Sequence, residues 1–114
     1  MRTNDNQASR FGLRESDLQN IIEILSRSVQ VKEAILFGSR AKGNYRNGSD
    51  VDIALKGDLD LKSVAQLSYF LNEETLMPYK FDIIDYARIK NNDLKEHIDR
   101  VGITIYDKSD TLAA

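Results

Sequence analysis

A strand that carries aspartate at positions 50 and 52 can bury only one of its faces. The run DVDIAL (50–55) alternates polar and apolar residues with a period of two. Val51, Ile53 and Leu55 therefore point to one side, and Asp50, Asp52 and Ala54 to the other. The apolar side predicts a core contact. The acidic side needs compensation, because a carboxylate taken out of water is costly unless it is paired, hydrogen-bonded or bound to metal. Residues two apart in a strand lie ~6.5–7 Å apart at Cα, so their carboxylates reach one small volume. There they repel. A hard divalent cation such as Mg²⁺ offsets that repulsion, taking oxygen from carboxylates and from substrate phosphates together. Asp-x-Asp by itself is common and reads more readily as a strand start that faces solvent.

The remaining chain predicts a domain around this strand. Residues 1–15 are polar and predict a flexible start. Ser16, with Gln19 three residues on, predicts a cap for a helix over 17–29 carrying Leu18, Ile21, Ile22, Leu25 and Val29. AILFG predicts a buried strand closed by Gly38, and residues 40–49 a turn-rich connection with one helical turn near its start. Asp60 predicts the cap of a helix over 61–75 with Leu61, Val64, Leu67 and Leu71 on its apolar face. KFDIIDY is a third strand. Asp93 and Glu96 predict the start of a last helix ending at Gly102, and ITIYD a final strand. The expected architecture is a single α/β (α+β) domain over 16–108, a small mixed sheet with helices packed on it, and a tail over 109–114.

Composition narrows the chemistry. The 114 residues suffice for one domain, and the absence of cysteine excludes disulfides, thiolate catalysis and cysteine-bound zinc. A single histidine excludes a multi-histidine metal site. A net charge of −2 argues against broad binding to nucleic acid or anionic membranes. No apolar run approaches the ~18 residues of a membrane span, and the start of the chain lacks a secretory apolar core, so the expected location is the cytoplasm.

Ahead of the aspartates, Gly38-Ser39 closes a strand and opens a turn. Backbone N–H groups and a hydroxyl exposed at such a turn hold phosphates, and glycine allows close approach. A strand, Gly-Ser, ten residues and then Asp-Val-Asp-Ile make a far more specific signal than either part. This order resembles the nucleotidyltransferase superfamily that shares the polymerase β catalytic fold. The stretch GSRAKGNYRNGSDVDIAL resembles its smallest members, the minimal nucleotidyltransferase (MNT) proteins.

The resemblance implies a third carboxylate on a neighbouring strand. Asp82 in KFDIIDY faces away from Phe81 and Ile83 and is assigned to it, whereas Asp85 has the opposite parity and reads as a turn or cap residue. By the same resemblance, Asp50, Asp52 and Asp82 are the catalytic and metal-binding residues, with two Mg²⁺ ions, and Gly38 and Ser39 hold the terminal phosphates of ATP. Arg40 and Lys42 are candidate nucleotide-binding cations; Arg46 reads as a solvated loop residue. The implied reaction is in-line attack of a hydroxyl on the α-phosphate, Asp82 helping to deprotonate it, with pyrophosphate leaving. The implied partner is a HEPN-domain toxin whose tyrosine accepts AMP, which makes the chain an antitoxin. Two alternatives stay open: neutralisation of that partner by complex formation alone, and a small-molecule acceptor of the aminoglycoside kind. A homodimer is also left open. His97 reads as a packing or surface histidine, and Tyr45 as either a base-stacking or a plain loop residue.

Overall fold

In the computed structural model, which describes residues 6–113, four strands form one sheet. They are β1 (Val31–Phe37), β2 (Val51–Gly57), β3 (Phe81–Asp85) and β4 (Ile103–Asp107), arranged β3-β2-β1-β4. β1 runs antiparallel to β2 and β4, while β2 and β3 are parallel. The parallel pair requires a crossover, which α4 (Leu61–Tyr69) and a π-helical turn (Phe70–Glu74) provide. The sheet is mixed, as the sequence predicts.

The two faces of the sheet are covered differently. Leu36, Val51, Ile53, Leu55, Phe81 and Ile83 pack with Leu18, Ile21 and Leu25 of α2 (Glu15–Ser26) into the main core. On the other face Ile35, Phe37 and Ala54 meet Ile98 of α5 (Asn92–Val101) in a smaller cluster. By alternation along the strands, Asp52 and Asp82 belong to this second face. No helix among the described residues is long and apolar enough to cross a membrane.

Helix ends depart from expectation where side chains find distant partners. Ser16 does not cap α2, which begins at Glu15 after Arg14. Asp17 in its first turn accepts from Arg14 Nε (2.9 Å) and from the Tyr79 hydroxyl (2.6 Å), and this tertiary anchor sets where the helix starts. Val29 lies beyond the helix and is exposed. Asn91, not Asp93, caps α5, its Oδ1 accepting from the amides of Asp93 and Leu94. Asp60 caps α4 as predicted, in a reciprocal pair with Ser63, but Leu61 points into solvent.

The segment expected to be flexible carries α1 (Asn6–Arg10) and three buried apolar residues, Ala8, Phe11 and Leu13, because the main core extends over it. Residues 1–5 lie outside the described residues. At the other end, the predicted tail forms a short helix, α6 (Lys108–Ala113), and Lys108 Nζ donates to the Val29 carbonyl at 3.0 Å.

Candidate active site

β2 lies inside the sheet, so its residues 52–55 have a strand neighbour on both sides. Asp52 pairs with Phe37 of β1 on one side and with Asp82 of β3 on the other. Asp50 stands just before β2 and is exposed, as is Asp82, while Asp52 is half-buried. Burial is the main cause that pushes the Asp52 carboxyl from 3.8 up to about 6; the charges of Asp82 and Asp50 push the same way, and Arg40 opposes them. Sheet order thus brings the predicted acidic residues within each other's field.

Their chemistry suits a hard divalent cation, being carboxylate oxygen throughout. As they stand, no group of three or more acidic or histidine side chains among the described residues is close enough to hold a metal. Sheet pairing makes Asp52 and Asp82 neighbours, with Asp50 just before the same strand, and the three do not form a closed cage.

Gly38 sits where β1 turns into α3 (Gly38–Lys42), at φ +74°. A side chain there would be strained by that backbone and would also run into the Asp52 carboxylate. The turn and the acidic row are therefore packed directly against one another. The Gly38 amide donates to Nε2 of His97 at 3.3 Å, and the His97 ring meets Phe37 edge-on with centroids 6.2 Å apart. His97 is thus a packing residue, as predicted, but its packing is at the site. A separation of 59 residues from Gly38 hides this from any local pattern.

Arg40, predicted as a phosphate cation, is held inside the fold rather than exposed. It is 4% exposed. Nη1 donates to the carbonyls of Phe11 (2.9 Å) and Gly12 (3.1 Å), and Nε and Nη2 donate to the Ser49 carbonyl (3.3 and 2.8 Å). The guanidinium also lies over the rings of Tyr45 and Tyr79. Its hydrogen bonds tie the N-terminal segment and the residue before Asp50 to α3, so it shapes the connection that presents Asp50. Lys42 and Arg46 are exposed. Tyr45 packs against Gly12 and under Arg40, which takes its ring away from a free base-stacking position.

Asp85 behaves as the parity predicts: it is buried, accepts from the Ala87 amide (3.1 Å) and pairs with Arg88 (3.2 Å). Asn72 is a positioning residue that the sequence did not reveal. Its side-chain amide bonds both backbone groups of Phe81, at 2.8 and 3.0 Å, pinning the residue just before Asp82. It lies in the π-helical turn, a distortion that often marks functional regions.

Comparison with known proteins agrees with this fold. The family described as "Polymerase beta, Nucleotidyltransferase" matches residues 19–111. A putative protein adenylyltransferase of Methanocaldococcus jannaschii is 34% identical over 65 residues, spanning 57% of this chain and 59% of the relative. A probable protein adenylyltransferase, MntA, of Haemophilus influenzae is 28% identical over 106 residues, 91% of each chain. Two solved structures share the fold. One is a toxin–antitoxin with AMP-PNP (TM-score 0.68, 23% identity, 84% of this chain and 79% of that one). The other is a tri-AMPylated Shewanella oneidensis HEPN toxin in complex with MNT antitoxin (TM-score 0.63, 20% identity, 86% and 77%).

Proposed function

The chain belongs to the polymerase β nucleotidyltransferase family, and from that premise we propose that it transfers AMP from ATP to a hydroxyl of a partner protein. The observation that carries this reading is the row in which Gly38 abuts the Asp52 carboxylate and Asp52 pairs with Asp82. Phosphate-holding turn and acidic pair are thus contiguous, as in-line transfer between a triphosphate and an acceptor requires.

Asp50, Asp52 and Asp82 are the residues that would hold Mg²⁺, two ions on this reading. When bound, the metal neutralises charge on the phosphates and on the attacking and leaving oxygens. Gly38 and Ser39 hold the terminal phosphates, with Lys42 as the exposed cation on the same helix. Asp82, open to solvent, takes the proton from the acceptor hydroxyl. The acceptor oxygen bonds to the α-phosphorus, the bond to the β-phosphate oxygen breaks, and pyrophosphate carries the electron pair away. Arg40 and Asn72 act at a distance, one on the connection before Asp50 and the other on the strand that bears Asp82.

The proposed acceptor is a tyrosine of a HEPN-domain toxin, and the proposed role is that of its antitoxin. Relatives named protein adenylyltransferases support protein as acceptor, and the AMPylated HEPN toxin bound to an MNT antitoxin supports that partner. The exposed Asp50 and Asp82 leave the site open to a group carried on another molecule. Incubation with α-labelled ATP, Mg²⁺ and the protein encoded alongside tests this. Label on a partner tyrosine, lost in Asp52→Asn, is the expected result. Partner neutralisation that persists in Asp52→Asn with no label would instead establish inhibition by complex formation.

A further inference from the structure

We infer that His97 is a nucleotide-contacting residue, which trades its bond with the Gly38 amide for a bond to the terminal phosphates. The inference rests on the reading of Gly38 as a phosphate contact. It begins with direction: the Gly38 N–H donates to Nε2, so a neutral imidazole there carries its own proton on Nδ1. His97 is held in place by its edge contact with Phe37 and by the neighbouring Ile98, which is 2% exposed against the sheet. The other side of Gly38 is filled by the Asp52 carboxylate.

A phosphate oxygen that accepts from the Gly38 amide must come within about 3 Å of that nitrogen. That brings it beside Nε2, which lies 3.3 Å from the same nitrogen, and one amide proton cannot serve both acceptors well. Moving the imidazole proton from Nδ1 to Nε2 resolves the competition. The ring keeps its net charge, yields the amide to the phosphate, and presents a donor to that same oxygen. In the absence of nucleotide, His97 keeps the amide hydrogen-bonded; in its presence, His97 adds a contact that only the β- and γ-phosphates can receive.

The test compares binding of AMP-PNP and of AMP, each with Mg²⁺, to the intact chain and to His97→Ala and His97→Gln. ¹⁵N spectra of the wild-type imidazole are recorded alongside. A hydrogen bond to a charged phosphate predicts that His97→Ala weakens AMP-PNP about tenfold and leaves AMP within about twofold. His97→Gln, whose amide can both accept from Gly38 and donate to phosphate, should recover AMP-PNP to within about threefold. In the wild type, Nε2 should change from an acceptor to a protonated signal with AMP-PNP but not with AMP. Equal binding of AMP-PNP by wild type and His97→Ala overturns the inference, as does a parallel loss of both nucleotides. Should His97→Ala not fold, the spectra decide, and an Nε2 that stays an acceptor refutes the proposal. A wild-type chain that binds no AMP-PNP at all overturns instead the reading of Gly38-Ser39 as the phosphate turn.

Discussion

Asp17 and Asp52 are both drawn out of water, and their surroundings treat them in opposite ways. Asp17 is 6% exposed, yet it receives the Tyr79 hydroxyl and the Arg14 guanidinium. Burial, and then the bond to Asp17, push the Tyr79 phenol up, so that proton stays in place as the donor. Asp52 is half-buried beside Asp50 and Asp82, with Arg40 as the countervailing charge. One carboxylate is satisfied inside the fold; the other is left in need of a cation. A carboxylate that the fold crowds with like charge reports a site, whereas one that the fold solvates with donors reports structure.

The contrast is strongest in activity. Asp52→Asn should lower label transfer by about a thousandfold, roughly 4 kcal/mol of transition-state stabilisation. Activity within tenfold of wild type would break the comparison at its functional end. Next in size, Asp17→Ala should cost about 1–3 kcal/mol in urea denaturation, because it leaves a partly buried tyrosine hydroxyl and the start of α2 without their acceptor. Its label transfer, corrected for folded fraction, should not change.

The same substitution at Asp52 should stabilise the metal-free fold. A folded-state carboxyl raised to about 6 from an ordinary 3.8 binds its proton more tightly than the unfolded chain does. Its contribution is therefore most favourable below about pH 4 and is lost as pH rises through 6. Solvent screening of this half-exposed group limits the effect to about 1 kcal/mol. Asp52→Asn should thus be more stable at pH 7 and lack the decline between pH 4 and 6; a variant less stable than wild type would contradict the account. The smallest effect is that of the metal. Millimolar Mg²⁺ should stabilise the wild type by less than about 1 kcal/mol for a weakly bound ion, read as a small rise in Tm, and should leave Asp52→Asn unmoved.

Much of this was readable along the chain. The alternation in DVDIAL placed Val51, Ile53 and Leu55 in the core, and the parity of KFDIIDY separated Asp82 from Asp85. Asp60 capped the helix that its position announces. Errors fell where a side chain answers to something far away. Arg40 follows Ser39 directly and looks like a phosphate ligand, yet it is spent on Phe11, Gly12 and Ser49 carbonyls. Ser16 looks like a cap, yet Asp17 is gripped by Tyr79, 62 residues on, and the helix begins before it.

The sequence by itself determined the strands, their faces and the Gly-Ser and acidic motifs, because periodicity and turn chemistry are local. Tertiary structure alone decided who meets whom. It set β2 between β1 and β3, so that Asp52 faces Asp82 across one hydrogen-bonded row. It also brought α5 over the Gly38 turn, so that a histidine with no motif of its own reaches the Gly38 amide. A period names the face on which a side chain lies, but its partner depends on how separate elements pack, and no short stretch of chain encodes that.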